Sequence, residues 1–237
     1  MSPAPSKSQV NRAGQIIRRH FMRHGVRPGE PDRSLIMAFA VLVEFRAAHQ
    51  YSLTKANMGV RSVLATERCE VDVSQRLKRI VTIVDKLRRE PTMQLANMQD
   101  IGGCRAILDN VADLRRVERR LRKNRPPLRV ADYIAAPKAS GYRGVHVVVS
   151  YPDLAGVSRA IEVQLRTRVM HEWAFTVERL GGRLKADLKS NVGPEPVLDF
   201  LRAASEAMAI EEQGQVVPSE IAARVSELRA AAMPYLS

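Results

Sequence analysis

In the run from Ala160 to Arg166, polar and apolar side chains alternate without a break. An extended strand would therefore place Glu162, Gln164 and Arg166 on one face and Ile161, Val163 and Leu165 on the other. Taken alone, this is also the pattern of a half-buried strand whose polar side is simply solvated. A second carboxylate widens what the strand can do. Asp100 stands just before Gly102 and Gly103, at a turn where small residues let a ligand come close to the backbone. Brought together on adjacent strands, Asp100 and Glu162 would offer the hard oxygen donors that Mg²⁺ takes, with room left for substrate phosphates. Neither carboxylate makes such a site without the other.

Cations suited to phosphates lie nearby in the chain. Between Val73 and Arg89, the spacing of Leu77, Ile80, Val84 and Leu87 predicts one helix with an apolar stripe, and Lys78, Thr82, Lys86 and Arg89 then share another face. Such a face is either a solvated charge stripe or a grip for a triphosphate. The loop Pro137-Lys138-Ala139-Ser140-Gly141-Tyr142-Arg143-Gly144 adds two cations on a glycine-rich turn, and its Tyr142 either covers the sheet edge or stacks on a base. Of the five histidines, His20 and His24 are four apart, but no HExxH pattern accompanies them, which argues against a histidine-held metal. Cys69 and Cys104, the two cysteines, read as reduced thiols.

The elements that must position these residues change type along the chain. The first part, to about Arg68, reads as helix, with a long apolar stretch from Ser34 to His49 that follows Asp32. Pro91 ends the Val73–Arg89 segment. Strand-like runs follow at Cys104–Leu108, Leu128–Ala135, Val145–Ser150 and Ala160–Arg166, the first two separated by a charged helical segment, Val111–Lys123. Helical character returns after Thr167, through Trp173 to about Lys189, and Gly193, Pro194 and Pro196 interrupt it before Ala-rich helices. The expectation is an α/β fold in three parts: an N-terminal helical region over 1–72, a core with a mixed β-sheet over 73–190, and a C-terminal helical extension over 191–237.

At 237 residues the chain suits one sizeable core with helical extensions. The formal net charge of +13 implies a positive potential toward phosphates, nucleic acid or anionic lipid, without choosing among them. No apolar signal-peptide core opens the sequence and no apolar run spans a bilayer, so the expectation is a cytoplasmic protein without membrane insertion.

The ordered set of motifs resembles the synthetase domain of the RelA/SpoT family, from about Arg76 to Glu178. Arg76, Lys78, Thr82, Ile83 and Lys86 look like that family's R-x-K-x-x-x-S/T-I-x-x-K pattern, and Met98-Gln99-Asp100-Ile101-Gly102-Gly103-Cys104-Arg105 follows. Then come Tyr133 to His146, Ile161-Glu162-Val163-Gln164-Leu165-Arg166-Thr167, and Met170-His171-Glu172-Trp173-Ala174. The resemblance implies a nucleotidyltransferase-like core and transfer of the β,γ-pyrophosphate of ATP to a ribose 3′-hydroxyl. It implies that Asp100 and Glu162 serve Mg²⁺, that Glu162 helps deprotonate the attacking hydroxyl, and that Arg76 and Arg105 sandwich adenine. Lys78, Thr82, Lys86 and Arg89 would grip the phosphates, Tyr142 would stack on the acceptor base, and Lys138, His146 and Gln164 would line the acceptor side. Such transfer needs in-line positioning and neutralised charge, with no covalent intermediate.

The departures concern the acceptor. His171 stands where familiar small alarmone synthetases carry the Asn that contacts guanine, and Val177 stands where they carry a Glu, with Glu178 displaced by one position. The form of the motifs looks closest to toxic members of the family that pyrophosphorylate the 3′ CCA end of tRNA, and the basic surplus suits that acceptor. The leading expectation is therefore a tRNA-modifying toxin controlled by an antitoxin protein. The alternatives are a synthetase of (p)ppGpp from GDP or GTP, an enzyme using adenosine acceptors, and a non-catalytic RNA-binding module. Candidate tRNA contacts are Arg115, Arg116, Arg119, Arg120, Arg122, Lys123 and Arg125, with Arg18, Arg19, Arg23 and Arg27 from the N-terminal region.

Overall fold

A computed structural model describes residues 5–24 and 32–236. Helices α1 (Lys7–His24), α2 (Arg33–Ala47) and α3 (Gln50–Thr66) lead into strand β1 (Val73–Leu77), helix α4 (Ile80–Arg89) and strand β2 (Gly102–Leu108). Helix α5 (Val111–Asn124) and strands β3 (Arg129–Asp132), β4 (Val145–Pro152) and β5 (Ser158–Thr167) complete the sheet. Helices α6 (Arg168–Leu184), α7 (Glu195–Glu212) and α8 (Ser219–Leu236) follow. The strand order is β1-β2-β5-β4-β3, with β2 and β5 parallel and every other pair antiparallel. The expected mixed α/β architecture flanked by helices is what the chain forms. Among the described residues, no helix is long and apolar enough to cross a membrane.

Local chemistry sets the element boundaries. The Asp32, Asn110 and Thr167 side chains accept from the backbone N–H groups of Leu35, Asp113 and Met170, capping α2, α5 and α6. Strand β3 is shorter than the apolar run around it because Asp132 turns its carboxylate onto the N–H groups of Ile134 and Ala135 and ends the ladder in a turn. Helix α6 stops at Leu184, short of Lys189, through a left-handed Lys185 (φ 52°). Gly181 allows the chain to fold back there: a Cβ on it would lie 2.7 Å from the Ala186 carbonyl oxygen.

The single helix expected over Val73–Arg89 is two elements. Val73–Leu77 pairs antiparallel with β2, and the helix starts only at Ile80. The helical spacing misleads because its apolar residues serve two cores. Leu77 packs against the sheet cluster, whereas Ile80, Val84 and Leu87 join α1 and α2. A free sheet edge beside β2 outweighs the local periodicity. Arg46 seals the junction by donating to the Lys78 carbonyl oxygen at 2.7 Å, and Lys78 N–H donates to Ile101 O at 2.8 Å.

The sheet has one closed and one open face. Val145, Val147, Val149, Ile161, Val163 and Leu165 pack beneath α3 and α5 in the main core. A second cluster joins α1, α2 and α4, and a third joins Tyr142 and Trp173 to α7 and α8.

Candidate active site

The alternation read in Ala160–Arg166 is real. Burial along β5 switches residue by residue, with Ile161, Val163 and Leu165 buried and Glu162 and Gln164 half-buried on the other side. Register carries the pattern across the sheet: Glu162 lies beside Gly103, Gln164 beside Arg105, and His146 opposite Gln164. On β1, Arg76 pairs with Gly103 and Ser74 with Arg105. The open face thus gathers Arg76, Arg105, His146, Glu162, Gln164 and Arg166. Gly103 leaves the surface between Arg76 and Glu162 bare, as the glycine pair had suggested.

The two carboxylates meet at one edge of this face and are held by opposite means. Asp100 receives Lys78 Nζ at 2.8 Å and Lys86 Nζ at 3.1 Å. Burial pushes its carboxyl up, as does Glu162 nearby, but the two ammonium groups prevail and hold it below the usual range. Glu162 instead accepts from His146 Nδ1 at 3.0 Å and from the Gln164 amide at 2.6 Å. Burial pushes Glu162 up as well, yet the bond and charge of His146, the Gln164 amide and Lys86 bring it down to about 2.

Behind Glu162 runs a chain of side chains. Arg166 Nε donates to the Tyr142 hydroxyl oxygen at 3.0 Å, and that hydroxyl lies 2.6 Å from His146 Nε2. One proton is shared between the tyrosine hydroxyl and Nε2, and in either arrangement Nδ1 carries a proton that it donates to Glu162. Arg166, given no individual role in the sequence reading, is only 4% exposed and ties Tyr142 to Gln164.

Tyr142 differs from the open stacking ring expected of it. It is 4% exposed, with Tyr133, His146 and Trp173 against its ring, and its hydroxyl is the part that reaches His146 and Arg166. Lys138 lies with Nζ 4.6 Å from the Tyr133 ring centroid. His171, on the first turns of α6, stacks on Phe175, and its Nδ1 is buried without a hydrogen-bond partner among the described residues, as is Arg105 Nε. Burial, then Arg105 and Arg166, lowers the basicity of His171. Buried polar atoms left unpaired beside an open face are what a ligand-binding surface leaves for its ligand.

The other expected phosphate ligands sit around α4. Thr82 and Arg89 line a groove of about 880 Å³ between α4 and the turn after α6. Arg89 pairs there with Asp187 and Ser190. Lys189 reaches back to Glu178 at 2.8 Å, and its own ammonium is made more acidic by burial and by Arg166 and Arg105, against the pull of Glu178. Sequence reasoning missed Asp187 and Lys189, because nothing in a short turn after a helix signals that it folds over the site.

The candidate tRNA contacts lie elsewhere. Leu114, Val117 and Leu121 of α5 pack on the closed face, so this helix stands across the sheet from Glu162. Most of its cations already have carboxylates: Arg115 holds Glu118 and Asp132, Arg116 holds Asp113 and Glu67, Arg120 holds Glu67, and Arg122 holds Glu118. Arg125 lies 4.0 Å from the Tyr151 ring centroid, and Arg119 and Lys123 are exposed. The basic stretch, named from the sequence as candidate tRNA contacts, is therefore largely an ion-paired helix surface on the side of the sheet away from Glu162. Arg18 likewise donates to Leu87 O at 2.7 Å and caps α4. Arg19 is exposed, whereas Arg27 and the side chain of Arg23 lie outside the described residues.

Comparison with known proteins agrees with this geometry. The family described as the region found in RelA / SpoT proteins matches residues 75–179, a stretch that contains Asp100, Glu162 and the cations of the open face. The GTP pyrophosphokinase YjbM of Bacillus subtilis is 35% identical over 166 residues, spanning 67% of this chain and 75% of that one. The crystal structure of small alarmone synthetase 1 from Bacillus subtilis bound to its product pppGpp matches with a TM-score of 0.64 and 27% identity, over 80% of this chain and 97% of that one. The same synthetase bound to AMPCPP matches with a TM-score of 0.56 and 25% identity, over 81% and 98% of the two chains. From β1 to α6, the chain belongs to the RelA/SpoT family, and it is a pyrophosphokinase.

Proposed function

We propose that this pyrophosphokinase is a small alarmone synthetase that moves the β,γ-pyrophosphate of ATP to the ribose 3′-hydroxyl of GDP or GTP. The observation that carries the reading is the open face itself, where two ionised carboxylates are set among cations on a core that matches a synthetase bound to pppGpp. A nucleotide needs no more surface than this face provides. The tRNA acceptor, favoured from the form of the motifs and from the basic surplus, loses the support of the second, because most arginines of α5 are paired and lie behind the sheet. An antitoxin partner loses its motive with it.

In this reading Arg76 and Arg105 bracket the donor adenine, and Lys78, Thr82, Lys86 and Arg89 hold its phosphates. Arg89 exchanges Asp187 for a phosphate oxygen as ATP enters. Lys138, His146, Gln164 and His171 border the acceptor, with Tyr142 acting through its hydroxyl. The donor set suits Mg²⁺, which takes one or two carboxylates and completes its shell with substrate phosphates and water; Asp100 and Glu162 would hold it, and it would neutralise charge on the transferring group.

Glu162 is ionised at neutral pH and so presents an acceptor to a sugar hydroxyl. Its part is to accept the hydroxyl's hydrogen bond and aim the oxygen. That suffices for a loose phosphoryl transfer, where positioning and electrostatics dominate.

Incubation with γ-³²P-ATP and, separately, GDP, GTP or deacylated tRNA tests the proposal. Because the γ-phosphate travels with the transferred group, label is expected in guanosine tetra- or pentaphosphate. Label on the tRNA 3′ end, with none in guanosine nucleotides, overturns it in favour of the toxin.

A further inference from the structure

Helix α7 lies wholly beyond residues 75–179, the stretch that matches the family, yet it makes two polar contacts with the loop that carries Tyr142. Ser205 Oγ donates to the Gly141 carbonyl oxygen at 2.6 Å. Trp173 Nε1, from α6, donates to Leu201 O at 3.1 Å and sets the distance between the two helices. Gly141 takes a left-handed φ of 86°, and a Cβ on it would lie 3.2 Å from Arg202 Cα, Ser205 Cβ and Trp173 Cζ2. The loop backbone is thus pressed onto α7 where only glycine fits.

The strongest contact is an ion pair out of water. Arg143, next to Tyr142 in the chain, donates to Glu212 Oε2 at 2.8 Å, and the two side chains are only 7% and 5% exposed. The other oxygen of Glu212 accepts from Thr167, whose hydroxyl also caps α6. One carboxylate at the end of α7 therefore holds both the acceptor-side loop and the junction of β5 with α6. A buried ion pair is a poor source of stability, since desolvation offsets most of its attraction, and its best-attested use is to fix one arrangement over others. Here the arrangement fixed is that of Tyr142, whose hydroxyl sets His146 and through it Glu162.

We propose that Glu212 of α7 is a positioning residue for the acceptor side of the site: through Arg143 it locks the 138–144 loop, and so keeps the Tyr142–His146–Glu162 chain in register. The proposal rests on the reading of this face as the transfer site. It makes α7 part of the enzyme's working core.

Two variants test it, Glu212→Gln, which keeps the shape but removes the charge, and Ser205→Ala, which removes only the bond to Gly141. The first measurement is hydrogen exchange of the loop amides that donate within it, Lys138 to Tyr142 O and Gly141 to Lys138 O. Exchange is expected to quicken about ten-fold in Glu212→Gln, with α5 unchanged, because a hydrogen bond to a charged group contributes on the order of one such factor. The second is steady-state transfer with whichever acceptor the wild type labels. KM for that acceptor should rise about ten-fold, while KM for ATP stays within about two-fold. A contact that only stabilised the fold would shrink the active fraction and leave both KM values in place. Unchanged loop exchange overturns the latch whatever the acceptor is. Faster exchange with both KM values moved equally, or with neither moved, overturns the positioning role. Should Glu212→Gln fail to fold, Ser205→Ala decides by the same two measurements, in the same direction and smaller. Wild-type label on tRNA alone would defeat the guanosine reading and leave the latch to stand or fall on its own results.

Discussion

Two arginine-rich regions of this molecule look alike in the sequence and differ in what surrounds their charge. On α5, Arg115, Arg116, Arg120 and Arg122 each lie against Glu67, Asp113, Glu118 or Asp132, and the helix covers the closed face of the sheet. Among the described residues of the open face, Arg76, Arg105 and Arg166 form no ion pair with a carboxylate, and Arg105 Nε is buried with no hydrogen-bond partner there. Arg166 and then Arg76 rank next after burial in making the Arg105 guanidinium easier to deprotonate. Like charges held together without counter-ions cost free energy in the empty protein, and an anionic substrate relieves it. A net charge of +13 therefore says little about the partner until compensated charge is subtracted.

The comparison breaks most visibly at the carboxylates that organise the open face. Glu162→Gln and Asp100→Asn should each lower kcat by about 10³-fold, the scale of losing one preorganised electrostatic group at a reacting centre. Single-turnover transfer of ³²P measures this, and undiminished turnover in Glu162→Gln would remove that residue from the mechanism. Next in size are the cations. Arg105→Ala should raise KM for ATP by roughly 10- to 100-fold, as expected for charge-assisted hydrogen bonds of about 1.5–3 kcal/mol. Arg120→Ala on α5 should leave transfer unaltered and cost stability by at most about 1 kcal/mol, the scale of an exposed pair. If the α5 variant lost as much activity as the open-face variant, the distinction between paired and unpaired arginines would collapse.

How far the sequence foretold this contrast depends on the range of the interactions. The faces of β5 were legible because alternation is a local property of a strand, and the placement of Glu162 beside Gly103 followed once β2 and β5 paired. The start of the cation motif was not, since Leu77 fits a helical stripe as well as it fits the edge of a sheet; only the presence of β2 decides. For Tyr142 the residues alone left open a ring covering the sheet edge or one stacking on a base, and the burial that decides comes from Trp173 and the α7 helix, distant in the chain. Glu212, among the charged residues that end an Ala-rich helix, carries no local mark of its buried partner. The ion pairs of the α5 arginines carry no local mark either, as Glu67 and Asp132 come from other elements.

The two faces also titrate in separate windows, which sharpens the comparison without touching activity. His49, buried against the closed side, is pushed down to about 4 by burial, with Arg159 adding to the effect against a bond to Phe45 O. Its unfolded value is near 6.5, so between these values the unfolded chain binds the extra proton and stability falls as pH drops from 6.5 to 4, by roughly 3 kcal/mol in all. Glu162, lowered from 4.5 to about 2 although burial opposes it, contributes stability that is complete above 4.5 and is lost only as pH falls from there toward 2. Urea melts at pH 7, 5.5 and 4 should show the first loss in wild type and not in His49→Gln. An equal slope in both proteins would place the titrating group elsewhere.

The smallest effect contrasts neighbours on one strand. Cys104 and Arg105 are adjacent in β2, yet one faces the core and the other the substrate side. Cys104 is 1% exposed, and burial alone pushes its thiol up to about 12, so almost no thiolate exists at neutral pH and none meets solvent. Cys69 is only partly buried, and although burial and then Asp113 raise its thiol too, Arg116 opposes them. Iodoacetamide at pH 8 should therefore modify Cys69 slowly and spare Cys104 until urea is added, as read by peptide mass. ATP added beforehand should leave that pattern unchanged, because the proposed nucleotide site is on the open face while both thiols belong to the closed side. Labelling of Cys104 in the folded protein would mean that β2 opens toward α3, and that the two faces of the sheet are less independent than their chemistry makes them.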